Sequence, residues 1–129
     1  MVNNILLIGL GGMIGAISRY LIYTLTDGLY HKQAFPFGTL LVNLIGSLII
    51  GILLALAVKY TFLARHHASH YLLITGFLGA FTTFSTFSQD NMFLLFDKHY
   101  GAFALNIILN VGLGLVLTIC GFVITKKLI

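Results

Sequence analysis

The sequence predicts an all-α membrane protein with four transmembrane helices. Of its 129 residues, 59% are hydrophobic, whereas only three are acidic and seven are lysine or arginine. A soluble domain of this size needs more charge on its surface. A helix that crosses a bilayer needs about 20 mostly apolar residues, and such stretches lie at residues 4–26, 36–58, 71–95 and 101–125. The four spans form one integral membrane domain, residues 1–129, and leave almost nothing for a separate soluble domain.

The segments between the spans are short and polar, and they hold most of the charges. With four spans, the N-terminus, the second loop and the C-terminus lie on one side of the membrane. That side carries Lys59, Arg65, Lys126 and Lys127, and the opposite side carries Lys32 and Lys98, with Arg19 close to it. Lysine and arginine in short loops normally set orientation. Because the difference here is small, we expect the chain to insert in both orientations.

Small residues recur four positions apart in three of the spans. Side chains of this size let helix backbones approach closely in lipid, where no hydrophobic effect drives helices together. We therefore expect tightly packed spans, with contacts at the pairs Gly11 and Gly15, Ser47 and Gly51, and Gly76 and Ala80.

The second span contains a polar stripe. Asn43 lies in "FGTLLVNLIGSLIIG", with Thr39 one turn before it and Ser47 one turn after it, so the three side chains share a helix face. A carboxamide in hydrocarbon must find partners for its donors and its acceptor. Two interpretations are open: the stripe bonds a neighbouring helix, or it lines a hydrated path.

Arg19 lies within the first span, where a cation is unfavourable unless it faces protein or water. One interpretation is that its side chain extends to the membrane surface or pairs with a carbonyl near the helix end. The other is that it supplies positive potential at a vestibule, which would favour anions.

The third span contains the stretch "GAFTTFSTFSQDN", residues 79–91, with five hydroxyl side chains within seven residues. On a helix, steps of three produce three rows along its surface. The rows are Phe81, Phe84 and Phe87; Thr82, Ser85 and Ser88; and Thr83, Thr86 and Gln89. So many hydroxyls, with Gly76 and Gly79 just upstream, predict a helix that is broken near its middle and borders a cavity. A polar seam between helices is the alternative.

The fourth span adds two amides one turn apart, Asn106 and Asn110. Amide and hydroxyl donors can replace the water around a small anion, and the positive edge of an aromatic ring is a weak further partner. Hydroxyls also accept, so a cation or water stays possible, although an anion is favoured. Because side chains fill the centre of a four-helix bundle, a pore of this kind predicts an oligomer, most simply a dimer.

Three segments carry a family resemblance: "GGMIGAISRY", "GTLLVNLIGSLIIG" and "GFLGAFTTFSTFSQD". In this order and spacing, and over essentially the whole chain, they resemble the fluoride channels known as Fluc or CrcB. The resemblance implies an antiparallel, dual-topology homodimer in the bacterial plasma (inner) membrane, with a structural Na⁺ at the centre of the dimer interface. It also implies passive, selective efflux of cytoplasmic fluoride, and so fluoride resistance.

The resemblance assigns roles to particular residues. Asn43 corresponds to the pore asparagine, and Phe84 and Phe87 to the aromatic side chains whose ring edges contact fluoride. Gly79 and Thr82 match the break whose backbone carbonyls hold sodium. The remaining matches to the ion pathway are Thr39, Ser85, Thr86 and Ser88 on its polar part and Arg19 in the first span.

Three positions depart from the family pattern. Asp90 stands where a glutamate is expected, so its carboxylate has a shorter reach. Asn106 and Asn110 take the places of a tyrosine and a serine one turn later. The hydrogen-bonding path along the fourth span is therefore expected to include Asn106 and Asn110, but through different groups from those of the family.

The alternative function is a proton-coupled exporter of the small multidrug type, which needs an acid deep in a span. The first, second and fourth spans have none, and Asp90 lies in the latter part of the third. An enzyme is not predicted: the one cluster with the spacing of metal ligands, His66, His67 and His70, is interpreted as solvated loop residues. The predicted partners are fluoride, a second copy of the chain and the lipid bilayer, with no nucleic acid.

Overall fold

The computed structural model describes residues 2–30, 35–63 and 67–129. Three residues used in the sequence predictions, Lys32, Arg65 and His66, lie outside these ranges. Within them, four helical segments are long and apolar enough to cross a membrane: Val2–Thr26, Phe37–Lys59, His70–Phe96 and Tyr100–Leu128. The predicted all-α class and the four spans are thus confirmed.

The spans comprise five helices, because the third span contains two. They are α1 (Val2–Tyr30), α2 (Phe37–Lys59), α3 (70–81), α4 (Phe84–Phe96) and α5 (Tyr100–Leu128). A short 3₁₀ helix, Thr61–Leu63, follows α2. Two of the helices contain wide π-helical turns, over His70–Leu78 in α3 and over Ile108–Leu113 in α5.

The first helix is longer than the hydropathy pattern predicts. It continues through Tyr30, past the predicted end at residue 26. The predicted loop therefore starts too early. The first proline in the chain is Pro36, so no residue before it lacks the backbone N–H that a helix needs, and α2 follows directly after that proline.

Glycines allow close contact within two pairs of helices, α1 with α3 and α2 with α5. Gly11 and Gly15 of α1 lie against the α3 backbone, and a methyl group at either would overlap a carbonyl oxygen, that of Leu72 or Phe77. Gly51 of α2 lies in the same way against the carbonyl oxygen of Thr118 in α5. These close approaches confirm the packing predicted at Gly11, Gly15 and Gly51, as expected where small residues permit backbone contact.

A small apolar core lies between these pairs. Val42, Leu78 and Phe81 are buried together, and the ring of Phe81 stacks on that of Phe77 with centroids 5.5 Å apart. The core joins α2 to the end of α3, and it holds the last turn of α3 firmly beside Asn43, one residue along from Val42.

The third span is interrupted at two threonines. Thr82 has φ −80° and ψ 159°, and Thr83 has φ −150° and ψ 121°, so both are extended. Helix α3 ends at Phe81 and α4 begins at Phe84. The chain therefore exposes backbone polar groups at membrane depth, which is tolerated only where protein or a cavity satisfies them.

The end of α4 is closed by a left-handed residue. Lys98 has φ 61°, its N–H donates to the Leu95 carbonyl at 3.1 Å, and the His99 N–H donates to the Leu94 carbonyl at 2.8 Å. These two bonds form a Schellman motif, in which glycine is the usual left-handed residue.

Lys98→Gly is therefore expected to stabilise the protein by about 1 kcal/mol, because the left-handed conformation strains a residue that has a Cβ. The measurement is thermal unfolding in detergent. Lys98→Ala is the matched control: it removes the same charge but keeps the Cβ. Equal midpoints for the two variants would contradict the expectation.

Candidate ion-binding site at the helix break

A cavity of about 380 Å³ lies beside the break. Helices α2, α3, α4 and α5 all contribute to its wall. The lining residues are Asn43, Gly46, Ser47 and Ile50 from α2; Leu78, Gly79, Thr82 and Thr83 from the end of α3 and the break; Phe84 and Phe87 from α4; and Asn110 and Val111 from α5. None of these described lining residues carries a charge.

Asn43 pairs with the backbone of the break. Its Oδ1 accepts from the Thr83 N–H at 2.9 Å, and its Nδ2 donates to the Thr83 carbonyl at 3.2 Å. The side-chain amide thus bonds to both polar groups of one extended residue, much as a neighbouring strand would. This pairing satisfies backbone groups that the break leaves without helical partners.

Asn43 is also one end of a chain of four amides. Its Nδ2 donates to Asn110 Oδ1 at 2.8 Å, and Asn110 Nδ2 donates to Asn106 Oδ1 at 2.8 Å. Asn106, fully buried, donates to Asn91 Oδ1 at 3.1 Å, and Asn91 donates to the Phe87 carbonyl at 2.9 Å. We call Asn43, Asn110, Asn106 and Asn91 the amide chain.

The direction of the amide chain is set by the backbone at both ends. The Thr83 N–H can only donate, so Asn43 must turn its oxygen towards it. The Phe87 carbonyl can only accept, so Asn91 must turn its nitrogen towards it. Every amide between these ends then has one consistent orientation.

The break redirects two backbone donors. In a continuous α-helix the N–H groups of Thr83 and Thr86 would donate to the carbonyls of Gly79 and Thr82. Instead, Thr83 donates to Asn43, and Thr86 donates to Thr83 Oγ1 at 3.2 Å, an N-cap that starts α4. The carbonyls of Gly79 and Thr82 thereby lose their helical donors.

The two phenylalanines of α4 lie next to each other at the cavity wall. Their ring centroids are 5.6 Å apart, and the rings are tilted by 47°. Phe87 is buried, whereas 78% of Phe84 is exposed. One ring is therefore held by the protein, and the other faces outward from the single chain.

The other predicted ion-pathway residues make the following contacts. Thr39 is buried and donates to Asp90 Oδ2 at 2.6 Å, and neither residue lines the cavity. The hydroxyls of Ser85 and Thr86 contact Thr83 Oγ1, and Ser88 donates to the Phe84 carbonyl. Arg19, half-buried on α1, is not among the described residues that line the cavity.

Asn91 is the residue that sequence reasoning missed. It is buried and joins α4 to α5 through Asn106. A signal was available, because a carboxamide within an apolar span must find partners. Its partner could not be predicted, since Asn106 and Asn91 approach only when the loop at Lys98 turns α5 back along α4.

These features define a multi-pass helical membrane protein in which an uncharged polar cavity lies beside a broken span. The chain belongs to the CrcB family: the family model described as CrcB-like protein, Camphor Resistance (CrcB), matches residues 6–122. The resemblance found in the sequence is thus confirmed.

Curated relatives match over nearly the full length. A protein of Campylobacter jejuni is 48% identical over 128 residues, covering 98% of this chain and 100% of the relative. One of Campylobacter lari is 46% identical with the same coverage, and one of Shewanella oneidensis is 42% identical, covering 92% of this chain and 93% of the relative. All three are named fluoride-specific ion channel FluC.

Proposed function

We propose that this protein is a fluoride-selective channel that lets fluoride leave the cytoplasm passively and so confers resistance to it. The observation that carries the proposal is the cavity at the break, which combines amide and hydroxyl groups with two phenylalanine rings and has no charged lining residue. It occurs in a chain that is 42–48% identical to proteins named as fluoride channels.

The chemistry of this wall suits a small anion. Amide and hydroxyl donors replace lost water, and the positive edges of Phe84 and Phe87 add weak attraction. A lysine or arginine in the wall would hold the anion too strongly for conduction, which needs sites that an ion can leave. The alternative exporter is not supported, because the half-buried Asp90 carboxylate bonds to Thr39 and does not line the cavity.

Two copies in antiparallel orientation are part of the proposal. Ser85, Ser88 and Gln89 of α4 are exposed in the single chain, as is Phe84. Polar side chains at membrane depth normally face protein or water, so a second copy against this face of α4 would cover them. The weak charge bias of the loops is consistent with insertion both ways into a bacterial inner membrane.

The test is fluoride efflux from liposomes that contain the purified protein. We expect rapid fluoride release and chloride release close to that of protein-free liposomes. Because the cavity wall has no ionisable group among its described residues, no proton gradient is needed. Absence of fluoride release, equal chloride release, or release only with a proton gradient would contradict the function.

We also propose a structural sodium ion held by the Gly79 and Thr82 carbonyls. Cations of this kind take oxygen ligands, including carbonyls at unwound helices. These carbonyls suit a cation because the backbone donors that a helix would direct at them bond elsewhere. The Thr83 N–H donates to Asn43 Oδ1, and the Thr86 N–H donates to Thr83 Oγ1. Both carbonyls therefore have lone pairs to offer, and two copies would supply four such oxygens.

Replacing sodium by N-methylglucamine is expected to lower the thermal midpoint and increase the monomer fraction in detergent. A ligand present at 100 times its Kd stabilises by about 2.7 kcal/mol. Potassium at equal ionic strength is the control for general salt effects. Identical midpoints and dimer fractions in all three cations would discard the sodium site.

A further inference from the structure

The donors of the Asn43 amide are fully used in this structure. A carboxamide nitrogen has two hydrogens, and those of Asn43 go to the Thr83 carbonyl and to Asn110 Oδ1. The first bond is part of the paired contact with the break. The second goes to a side chain that also lines the cavity. An anion that binds to Asn43 must therefore take the place of the Asn110 oxygen.

Asn110 cannot turn its Nδ2 towards Asn43 without losing other hydrogen bonds. Its Nδ2 is held by the backbone carbonyl of Asn106 at 3.0 Å and by Asn106 Oδ1 at 2.8 Å. Asn106 is in turn oriented by its own bond to Asn91. The amide chain thus keeps the oxygen of Asn110, rather than its nitrogen, directed at Asn43.

We infer that Asn110 is a positioning residue whose side-chain oxygen occupies the anion's place on Asn43 and competes with fluoride for it, with Asn106 and Asn91 holding it in that orientation. The inference rests on the proposed function and adds that Asn110 lowers the affinity of the site for fluoride. A net hydrogen bond between neutral groups changes binding by about tenfold. The competition therefore weakens fluoride binding and favours its release, which conduction requires.

The test measures how fluoride flux in liposomes depends on fluoride concentration. In Asn110→Ser, the hydroxyl can still donate to the Asn106 carbonyl one turn back, but it is too short to reach Asn43. We expect the half-saturating fluoride concentration to fall about tenfold, with maximal flux unchanged or reduced. In Asn110→Asp, the oxygen stays and gains charge, so the half-saturating concentration should rise more than tenfold.

A second readout does not depend on conduction. The shift of the thermal midpoint on adding fluoride in detergent reports binding to the folded state, and it should require less fluoride in Asn110→Ser than in the unmodified protein. Thr24→Val is the control, because the Thr24 hydroxyl is exposed on α1 and donates to the Leu21 carbonyl of its own helix. It should leave both measurements unchanged.

The outcomes separate this inference from the proposed function. If the unmodified protein releases no fluoride, the function itself fails. If it conducts, but Asn110→Ser leaves the half-saturating concentration unchanged or raises it, Asn110 does not compete and the inference is overturned. If both variants move the value in the same direction, Asn110 acts through packing alone, which overturns it as well.

Discussion

Replacing Asn43 with aspartate is expected to reduce fluoride flux by more than about tenfold, since about tenfold is lost with the one donor that passes from Asn110 to the anion. The aspartate keeps an acceptor for the Thr83 N–H but loses the donors to the Thr83 carbonyl and to Asn110. Ionised, it adds negative charge to the path of an anion. Even when protonated, it offers one donor where asparagine offers two. The measurement is fluoride efflux from liposomes.

Two controls show whether the effect is local. Asn3→Asp makes the same chemical change at an exposed position near the start of α1 and should conduct normally. Size-exclusion chromatography should show Asn43→Asp eluting as the unmodified protein does, because the glycine contacts between helices are untouched. Flux within tenfold of the unmodified protein would mean that Asn43 does not border the ion's path.

Gly11→Ala is expected to destabilise the folded protein by at least about 2 kcal/mol, within the range for overpacking a tight contact. The added methyl group would overlap the carbonyl oxygen of Leu72 and lie 2.8 Å from the backbone nitrogen of Phe77. Neither atom is at the end of a flexible side chain, so α1 must move away from α3. The measurement is the thermal midpoint in detergent, which should fall by several degrees.

The adjacent Gly12 provides the matched control. There the nearest atom to an added methyl group is 3.9 Å away, an ordinary contact. Gly12→Ala should be neutral or slightly stabilising, because alanine loses less backbone freedom in a helix than glycine does. If both substitutions had the same effect, close approach at Gly11 would not hold the two helices together.

Hydropathy and small-residue spacing predicted the spans and much of the helix packing, because both depend on local sequence alone. The end of α1 was less predictable: the segment after residue 26 is polar enough to read as a loop, yet the helix continues to Tyr30. Composition distinguishes segments that lie in lipid from segments that lie in water, but it does not locate the last hydrogen bond of a helix.

The site was predicted in its residue types more fully than in its connections. Asn43, Phe84, Phe87 and Asn110 were singled out, and they meet at one cavity. The bond from Thr39 to Asp90, 51 positions apart, and the link from Asn106 to Asn91 depend on how helices cross. Periodicity identifies which face of a helix is polar, but not which residue of another helix that face meets.

The uncharged wall of the cavity has a consequence for acid–base behaviour. Its described residues are amides, hydroxyls, aromatic rings, aliphatic side chains and glycine, and none of these titrates between about pH 4 and pH 9. Titration of the wall should therefore make no contribution to the pH dependence of conduction over that interval. A fall in flux that matches the conversion of fluoride to hydrogen fluoride in solution would then show that the wall acts as a fixed conductance for the share of the solute that remains ionised.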